Sequence, residues 1–560
     1  MNRKKTKSQQ INSWENAEKI PVINFQFSDL WTTDYRLITT LLIILPLLIY
    51  AQVYDFVLLW DDNGAGSGHI YNPFMLNANW SSLGQLLTEH YFGMYIPVSY
   101  LLWSGVQGLA DVLGVPLNSA LHLANVLVHI INGLLVFVIL RQFVANKWAV
   151  LVGALFFLLH PIQVEVVAWV SEFRSLLAFA FCLSALYIYL KNQTKFNFLT
   201  LFLLVLALLS KPSAVVFVLF VAAVNYFHYG LNLSKNIQKT LPFALVALFF
   251  VLVASSVQDI HSSVIIEVWQ RPFAWLDSVV FYLFKLIFPY HLGASYSLSS
   301  KFISQQWWFY PLAFLPLGLG YWLWIKRKIY PILALAIGLF LAGFLPTSGL
   351  LSFSFQGYSL VTDRYLYFAM LGVALLLAMA FNKADNRFWQ YCLIGVLLVF
   401  TGLSAWRQIP IWQNELQLWS HSKNYELNPQ YAHSNLALEL STTGKKEQAL
   451  VYLNKTIQHF HKVPVKNFAN VTNASNALAN RGTIFIQQKK YKKALADFNE
   501  SSRLDPYNPS KYHNLINTML RLKQCRQAFS VLAFARKNQV ELPKSLPQKV
   551  RKTCKKLVKN

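Results

Sequence analysis

Five short stretches of this chain set residues that move protons or hold anions beside long apolar runs. They are Asp61 and Asp62, His160 and Glu165, Glu172 and Arg174, Lys211, and Asp363 with Arg364. Adjacent carboxylates repel, so one member of a pair such as Asp61 and Asp62 is pushed toward its neutral form and suited to taking a proton from a hydroxyl. Arginine presents planar, paired donors that clamp a phosphate or carboxylate, and lysine offers a compact charge to the same anions. Taken singly, each of these residues has a blander reading, as a helix-end side chain snorkelling to lipid headgroups. Charge at a membrane boundary is costly, however, and a cluster of it on one side calls for a reason.

The elements that must position these residues are membrane helices. The chain has 560 residues, 55% hydrophobic and 13% charged, with a mean hydropathy of +0.37. Soluble domains carry roughly 25% charged residues. Apolar runs recur from residue 37 to about 405, and about eleven crossings are expected by length. They lie near 37–60, 117–140, 148–160, 174–190, 197–210, 212–228, 241–257, 308–325, 330–345, 365–381 and 391–405. Lys and Arg in short loops mark the cytoplasmic side. Such loops hold Arg3, Lys4, Lys5 and Lys7; Arg141 and Lys147; Lys191 and Lys195; Lys235 and Lys239; Lys326, Arg327 and Lys328; and Lys383 and Arg387. Two further apolar stretches, 92–112 and 273–290, would break that alternation and are expected at the outer interface or as re-entrant helices. The N-terminus then lies inside, and the acidic and basic cluster falls on the opposite side. Residues 1–36 are expected to be a cytoplasmic segment, not a cleavable signal peptide, because no small-residue cleavage site follows them.

Residues 406–560 read as a soluble helical domain outside the cytoplasm, with 26 Lys and Arg against eight Asp and Glu, a net +18. A 34-residue period marks tetratricopeptide (TPR) repeats over 406–540. Leu436, Ala437, Leu440, Gly444, Ala449 and Leu453 form one unit; Gly482, Phe485, Ala494, Phe498 and Pro506 the next; Leu515, Ala528, Leu532 and Ala535 the third. A half repeat with Trp419 precedes them, and 461–475 reads as an inserted loop. Residues 541–560 are a basic tail, expected to be solvated. No binding motif accompanies the charge, so no nucleic-acid partner is expected. Cys182, Cys392, Cys525 and Cys554 show no CxxC spacing, so neither a zinc site nor a disulfide framework is expected. The fold class is therefore all-α: a polytopic membrane domain over 37–405 with C-terminal helical repeats.

Seven segments, in order, resemble the transmembrane and TPR-containing O-mannosyltransferase-like family of the C-type glycosyltransferase (GT-C) superfamily. They are LLWDDNGAGSGHIYNPFM (58–75), LHLANVLVHIINGLLVF (121–137), LLHPIQVEVVAWVSEFRSLLA (158–178), LLSKPSAV (208–215), YLFKLIFPYHLGASYSL (282–298), LPTSGLL (345–351) and TDRYLYFAMLG (362–372). The sequence departs from the family pattern at the NGAGSG insertion, at Pro212 and Ser213 after Lys211, at Gly349 where Asn is usual, and at Asp363 where Glu is usual. The resemblance implies transfer of a sugar from a polyprenyl-phosphate-linked donor to a protein or glycan acceptor on the non-cytoplasmic face. It places Asp61 or Asp62 as the base, with Glu165 as a second carboxylate. Arg364, Arg174 and Lys211 become the cations that meet the leaving phosphate, and His160 an acceptor-orienting residue. No cofactor is expected; a divalent metal is compatible with a first-loop carboxylate pair but is not predicted.

Two other classes compete: a non-enzymatic membrane scaffold built on the repeats, and a lipid-linked sugar transporter. A scaffold needs no outer cluster of Asp, Arg and Lys, and a transporter places its charges at mid-span. The implied partners are the lipid-linked donor, an acceptor that engages the repeats, and membrane lipids. The expected setting is a bacterial inner membrane with a periplasmic repeat domain, or an endoplasmic reticulum membrane if the source is eukaryotic.

Overall fold

The computed structural model describes residues 25–62, 68–76, 79–192, 195–257, 266–350, 353–382, 387–426, 429–463 and 468–559. Arg3, Lys4, Lys5 and Lys7, most of the NGAGSG insertion and Lys383 lie outside the described residues. The described chain is all-helical; its only β feature is an isolated bridge between Tyr91 and Met94.

The principal helices of the first part are α1 (Arg36–Tyr50), α2 (Pro97–Leu113), α3 (Leu117–Leu140), α4 (Lys147–Leu159), α5 (Phe173–Lys191), α6 (Phe198–Ser210) and α7 (Val216–Ala223). There follow α8 (Leu233–Val257), α9 (Arg271–Ile287), α10 (Phe314–Lys326), α11 (Pro331–Phe344), α12 (Met370–Asn382) and α13 (Arg387–Gln408). Each of the eleven expected stretches is helical. Among the described residues, five helical segments are long and apolar enough to cross a bilayer: Arg36–Asp55, Leu117–Leu140, Val170–Lys191, Leu233–Val257 and Cys392–Trp412. A sixth is the pair Lys147–Leu159 and Pro161–Ala168, bent by 45°, and Phe198–Ser210, Pro212–His228, Pro331–Thr347 and Met370–Asn382 are shorter apolar helices. The described end of the N-terminal segment packs on the 141–147 turn. Arg141 donates to the Tyr35 hydroxyl at 3.0 Å and Lys147 to the Asp34 carbonyl at 3.0 Å.

Helix α3 carries the polar stripe His122, Asn125, His129 and Asn132, spaced three and four apart so that all face one side. The irregular chain after α4 accounts for two of the four, Asn125 and His129. Pro161 lacks an N–H and ends the helix, and carbonyls freed there must be satisfied inside the protein. Asn125 donates to the carbonyls of Val167 (3.2 Å) and Trp169 (2.9 Å). Asn132 donates to the Leu176 carbonyl and the Tyr367 hydroxyl, both at 3.0 Å, and His129 bonds that hydroxyl at 2.8 Å and the Leu158 carbonyl at 3.1 Å. The stripe thereby ties the irregular 161–172 segment to the turn that precedes α12.

That turn is also fixed by close backbone approach. A Cβ on Gly343 would lie 2.3 Å from the Ala369 Cα, and one on Gly372 would lie 2.4 Å from the Ala336 carbonyl oxygen. Only glycine lets α11 and α12 meet so closely. Gly349 has φ +95°, a left-handed conformation open to glycine and, less readily, to asparagine.

The C-terminal helices are α14 (Glu415–Ser422), α15 (Gln430–Thr442), α16 (Lys446–Lys462), α17 (Phe468–Gln487), α18 (Tyr491–Leu504), α19 (Pro509–Arg521), α20 (Cys525–Lys537) and α21 (Ser545–Lys559). They pack as successive pairs, α15 on α16, α17 on α18 and α19 on α20. Each pair turns on one left-handed residue, Gly444, Lys489 or Lys523. Each turn is closed by the same bond, from Lys445 to Leu440, Lys490 to Phe485 and Gln524 to Met519. The turns repeat the sequence spacing, including the longer first interval.

Three expectations are corrected. The extra residues of that interval are mainly helix, not a loop: α17 has 20 residues where α15 and α19 have 13 each. The basic tail forms α21, with Leu546, Val550 and Cys554 buried against the preceding pair. A disulfide joins Cys525 to Cys554; it carries no spacing motif because a helix folding back brings the two together. Packing is continuous across the expected boundary at 406, since Trp419, Leu436, Leu453 and Leu478 share one core with the membrane helices.

Candidate functional site

The first acidic pair stands on a turn that follows α1. Trp60 has φ +52°, rare for a bulky residue. Its ring stacks on Trp169 at 4.6 Å, and its N–H donates to Glu415 Oε1 of α14 at 3.1 Å. The turn aims its two carboxylates differently. Asp62 is buried and accepts from the N–H of Ser171 (2.7 Å), the Ser171 hydroxyl and the N–H of Leu59 (3.2 Å). Asp61 lines a cavity of about 290 Å³, and no described residue donates a hydrogen bond to its side chain. Burial pushes the Asp61 carboxyl above the usual carboxylate range, against the pull of Arg174 and Arg364.

Three cations line the same cavity around Glu172. Glu172 Oε2 accepts from Lys211 Nζ at 2.8 Å and from the Ser175 hydroxyl. Glu172 Oε1 lies 3.6 Å from Arg174 and 4.0 Å from Arg364 and has no hydrogen-bond partner among the described residues. Burial draws the Lys211 ammonium down to about 8, with Glu172 opposing the fall. Arg174 Nη1 bonds Nε2 of His69 at 3.1 Å, while His69 Nδ1 meets the Tyr100 hydroxyl at 2.7 Å. Burial holds that imidazole neutral, so Nε2 accepts from the guanidinium.

Arg364 is the most firmly held of the three. Its Nη1 meets Glu165 Oε1 at 2.5 Å, and its own N–H donates to Glu165 Oε2 at 2.8 Å. The guanidinium lies 4.5 Å from the Phe355 ring centre. Glu165 and Glu172 pair with the three cations, and Asp61 is a third carboxylate beside them. The rest of the wall is largely apolar: Val215, Val251, Ala254, Pro346 and Phe353. Val251 and Ala254 belong to α8, whose outer face exposes Leu241, Leu245, Leu248, Phe249 and Leu252. The cavity therefore opens beside a helix with an uncovered apolar side.

The structure brings Asp61, Arg174, Lys211 and Arg364 together and separates three other expected residues from the cavity. Asp62 fastens the turn. Glu165, expected as a second carboxylate, spends both oxygens on Arg364 and does not line the cavity. His160 caps the Pro161 turn: Nδ1 accepts from the Ile162 N–H at 3.2 Å and Nε2 meets the Leu286 carbonyl at 3.3 Å. It has no free nitrogen for an acceptor. Asp363 also does not pair with Arg364; it accepts from the Tyr296 hydroxyl (2.6 Å) and the Gly293 N–H (2.8 Å). Sequence reading placed Glu172 in the charged cluster without a specific task and missed His69, Trp169 and Glu415. The Pro161 break was the one visible sign that the 161–172 chain is shaped for a purpose.

Comparison with known proteins points the same way. Over 348 residues the chain is 22% identical to the Caenorhabditis elegans protein named protein O-mannosyl-transferase F38B6.6, covering 59% of this chain and 49% of that protein. Over 124 residues it is 31% identical to the Drosophila melanogaster protein O-mannosyl-transferase Tmtc1, covering 21% of this chain and 14% of that one. The chain is a distant relative of protein O-mannosyltransferases. It spans about half the length of the first relative and less of the second. No protein-family model and no solved structure matches it.

Proposed function

We propose that this integral membrane protein is a glycosyltransferase of GT-C type that moves a sugar, mannose by its relatives' names, from a polyprenyl-phosphate donor to a protein acceptor on the non-cytoplasmic face. The observation that carries this reading is one cavity that holds three cations beside a carboxylate, Asp61, to which no described residue donates a hydrogen bond.

In the reaction, the acceptor oxygen bonds to the sugar's anomeric carbon as the bond from that carbon to the phosphate oxygen breaks. The electron pair leaves on the phosphate, and the hydroxyl proton goes to Asp61. Lys211, Arg174 and Arg364 meet the charge that develops on the phosphate. Glu172 and Glu165 hold those cations apart and in place before the donor arrives. The apolar wall beside α8 receives the first isoprene units. The C-terminal helices are TPR units, and Glu415 and Tyr431 put them over the site. The Cys525–Cys554 disulfide supports their placement outside the cytoplasm, because such bonds persist in oxidising compartments.

The test is transfer itself. Purified protein in nanodiscs, given polyprenyl-phosphate mannose and an unfolded Ser/Thr-rich polypeptide, should yield mannosylated polypeptide and free polyprenyl phosphate. Absence of both products with this donor and with polyprenyl-phosphate glucose would overturn the reading.

A further inference from the structure

A second cavity lies one aromatic layer from the first. It measures about 210 Å³ and runs between the 297–305 segment and helices α15, α16 and α17. Gln430, the first residue of α15, and Asn473 of α17 line it and are only 6% and 4% exposed. Neither carboxamide has a hydrogen-bond partner among the described residues. Their polar atoms are not sealed off but open onto the groove, so both carboxamides are available to a ligand there. Each offers a donor and an acceptor, the same complement a peptide unit presents.

The other walls narrow the ligand further. Phe302, Val463 and Ala469 supply apolar surface, and Lys301 and His459 are the basic side chains of the lining. No carboxylate lines the groove among the described residues, which disfavours a saccharide, whose paired hydroxyls favour carboxylate acceptors. A phosphate or other dense anion would find no arginine, one exposed lysine and one histidine. An extended polypeptide, with alternating amide edges and side chains, matches this mixture.

One layer of aromatic rings separates the groove from the proposed reaction site. Tyr358 and Tyr431 form its inner wall, with ring centres 4.6 Å apart. Tyr431 lies 6.2 Å from Trp60, beside Asp61, and 6.4 Å from Phe355, which covers Arg364. Two ring-to-ring steps of this size correspond to about three or four residues of extended chain at ~3.3 Å each.

We infer that this groove is an acceptor subsite that binds the main chain of an extended polypeptide through Gln430 and Asn473, about three or four residues from the hydroxyl that receives the sugar. The inference rests on the proposed transferase reading for the identity of that hydroxyl. Gln430 and Asn473 are positioning residues: they hold the acceptor and do not touch the reacting atoms.

The test separates the two ideas by measuring binding without chemistry. The probes are a ten-residue Ser/Thr-rich peptide, the same peptide with every Ser and Thr replaced by Ala, and a version N-methylated along its main chain. The Ala peptide should bind about as well as the parent, and the N-methylated peptide at least tenfold more weakly. Gln430→Met with Asn473→Leu should weaken Ala-peptide binding at least tenfold. It should raise KM for the acceptor with kcat and release of sugar to water unchanged. Equal binding of the N-methylated peptide would overturn the subsite, and so would unchanged peptide affinity in the double variant or competition by a mannose oligosaccharide. The N-methyl comparison uses the unaltered protein and so holds even if the double variant unfolds. Peptide binding as described but no sugar transfer would sink the transferase reading and leave the groove; transfer with an unchanged KM would do the reverse.

Discussion

Glu172→Gln is the perturbation that reports most on how the cation cluster is held. Glu172 is buried, with Lys211 at 2.8 Å, Arg174 at 3.6 Å and Arg364 at 4.0 Å. Each unit-charge pair near 4 Å is worth about 4 kcal/mol at an effective dielectric of 20, but most of that is offset by the cost of removing the charges from water. Removing one partner of a buried pair typically costs about 3–5 kcal/mol, because the other charge is left uncompensated. Gln keeps the shape and can still accept from Ser175, so the loss comes from charge and not from a void. A second effect follows from the same contact. Glu172 opposes the burial that draws Lys211 down to about 8. A lysine must be protonated to hold phosphate, so donor binding is present below that value and lost as pH rises through it. Without Glu172, the alkaline limb should move to lower pH. The assay is thermal unfolding in one detergent together with donor affinity across pH 6 to 10, with Glu172→Asp as a control that keeps the charge. Unchanged melting and an unchanged alkaline limb in Glu172→Gln would refute the reasoning.

Three further outcomes follow. Arg364→Lys should keep the pair with Glu165 but lose the planar donors and the stack on Phe355, weakening donor binding roughly tenfold or more for one lost charge-assisted bond of about 1.5–3 kcal/mol; equal donor affinity at equal stability would remove the clamp. The acid limb of kcat/KM should lie above the ordinary carboxylate range, because Asp61 works deprotonated and burial raises it; Arg174→Gln removes a cation that lowers it, so the limb should shift to higher pH, as rates measured from pH 4 to 8 would show. A reporter active only outside the cytoplasm, fused after Asn560, should give signal, and non-reducing gels should show Cys525 bonded to Cys554 in material from the same cells; a reduced pair with a cytoplasmic reporter signal would reverse the orientation.

Much of the fold is legible from hydropathy and period alone. The long apolar helices and the helix-pair repeats follow from patterns that repeat over many residues, where single errors average out. The site was legible in its members and not in its pairings. Arg364 stands next to Asp363 in sequence but pairs with Glu165, because the 363–366 turn points neighbouring side chains to opposite sides. Asp61 and Asp62 are indistinguishable as a dipeptide; the left-handed Trp60 and the distant Ser171 tell them apart. Glu415 contacts Trp60 across some 350 residues of chain, a distance no local pattern spans. The expected tail and inserted loop failed for a related reason: charge and length read as exposure, while α21 and α17 are fixed by the helices they pack on.

Asp61 is the proposed base for the acceptor's proton, in a cavity whose cations are proposed to hold the donor. The most direct measurement is transfer from polyprenyl-phosphate mannose by Asp61→Asn and Asp62→Asn beside the unaltered protein, with donor affinity and melting temperature taken on the same preparations. Asp61→Asn should bind donor at least as tightly, melt normally and lose about 10²–10⁴-fold in turnover, the range expected for a missing general base. Asp62→Asn should instead melt earlier, because it loses a carboxylate that accepts three hydrogen bonds. Full turnover in Asp61→Asn at normal stability would contradict the account.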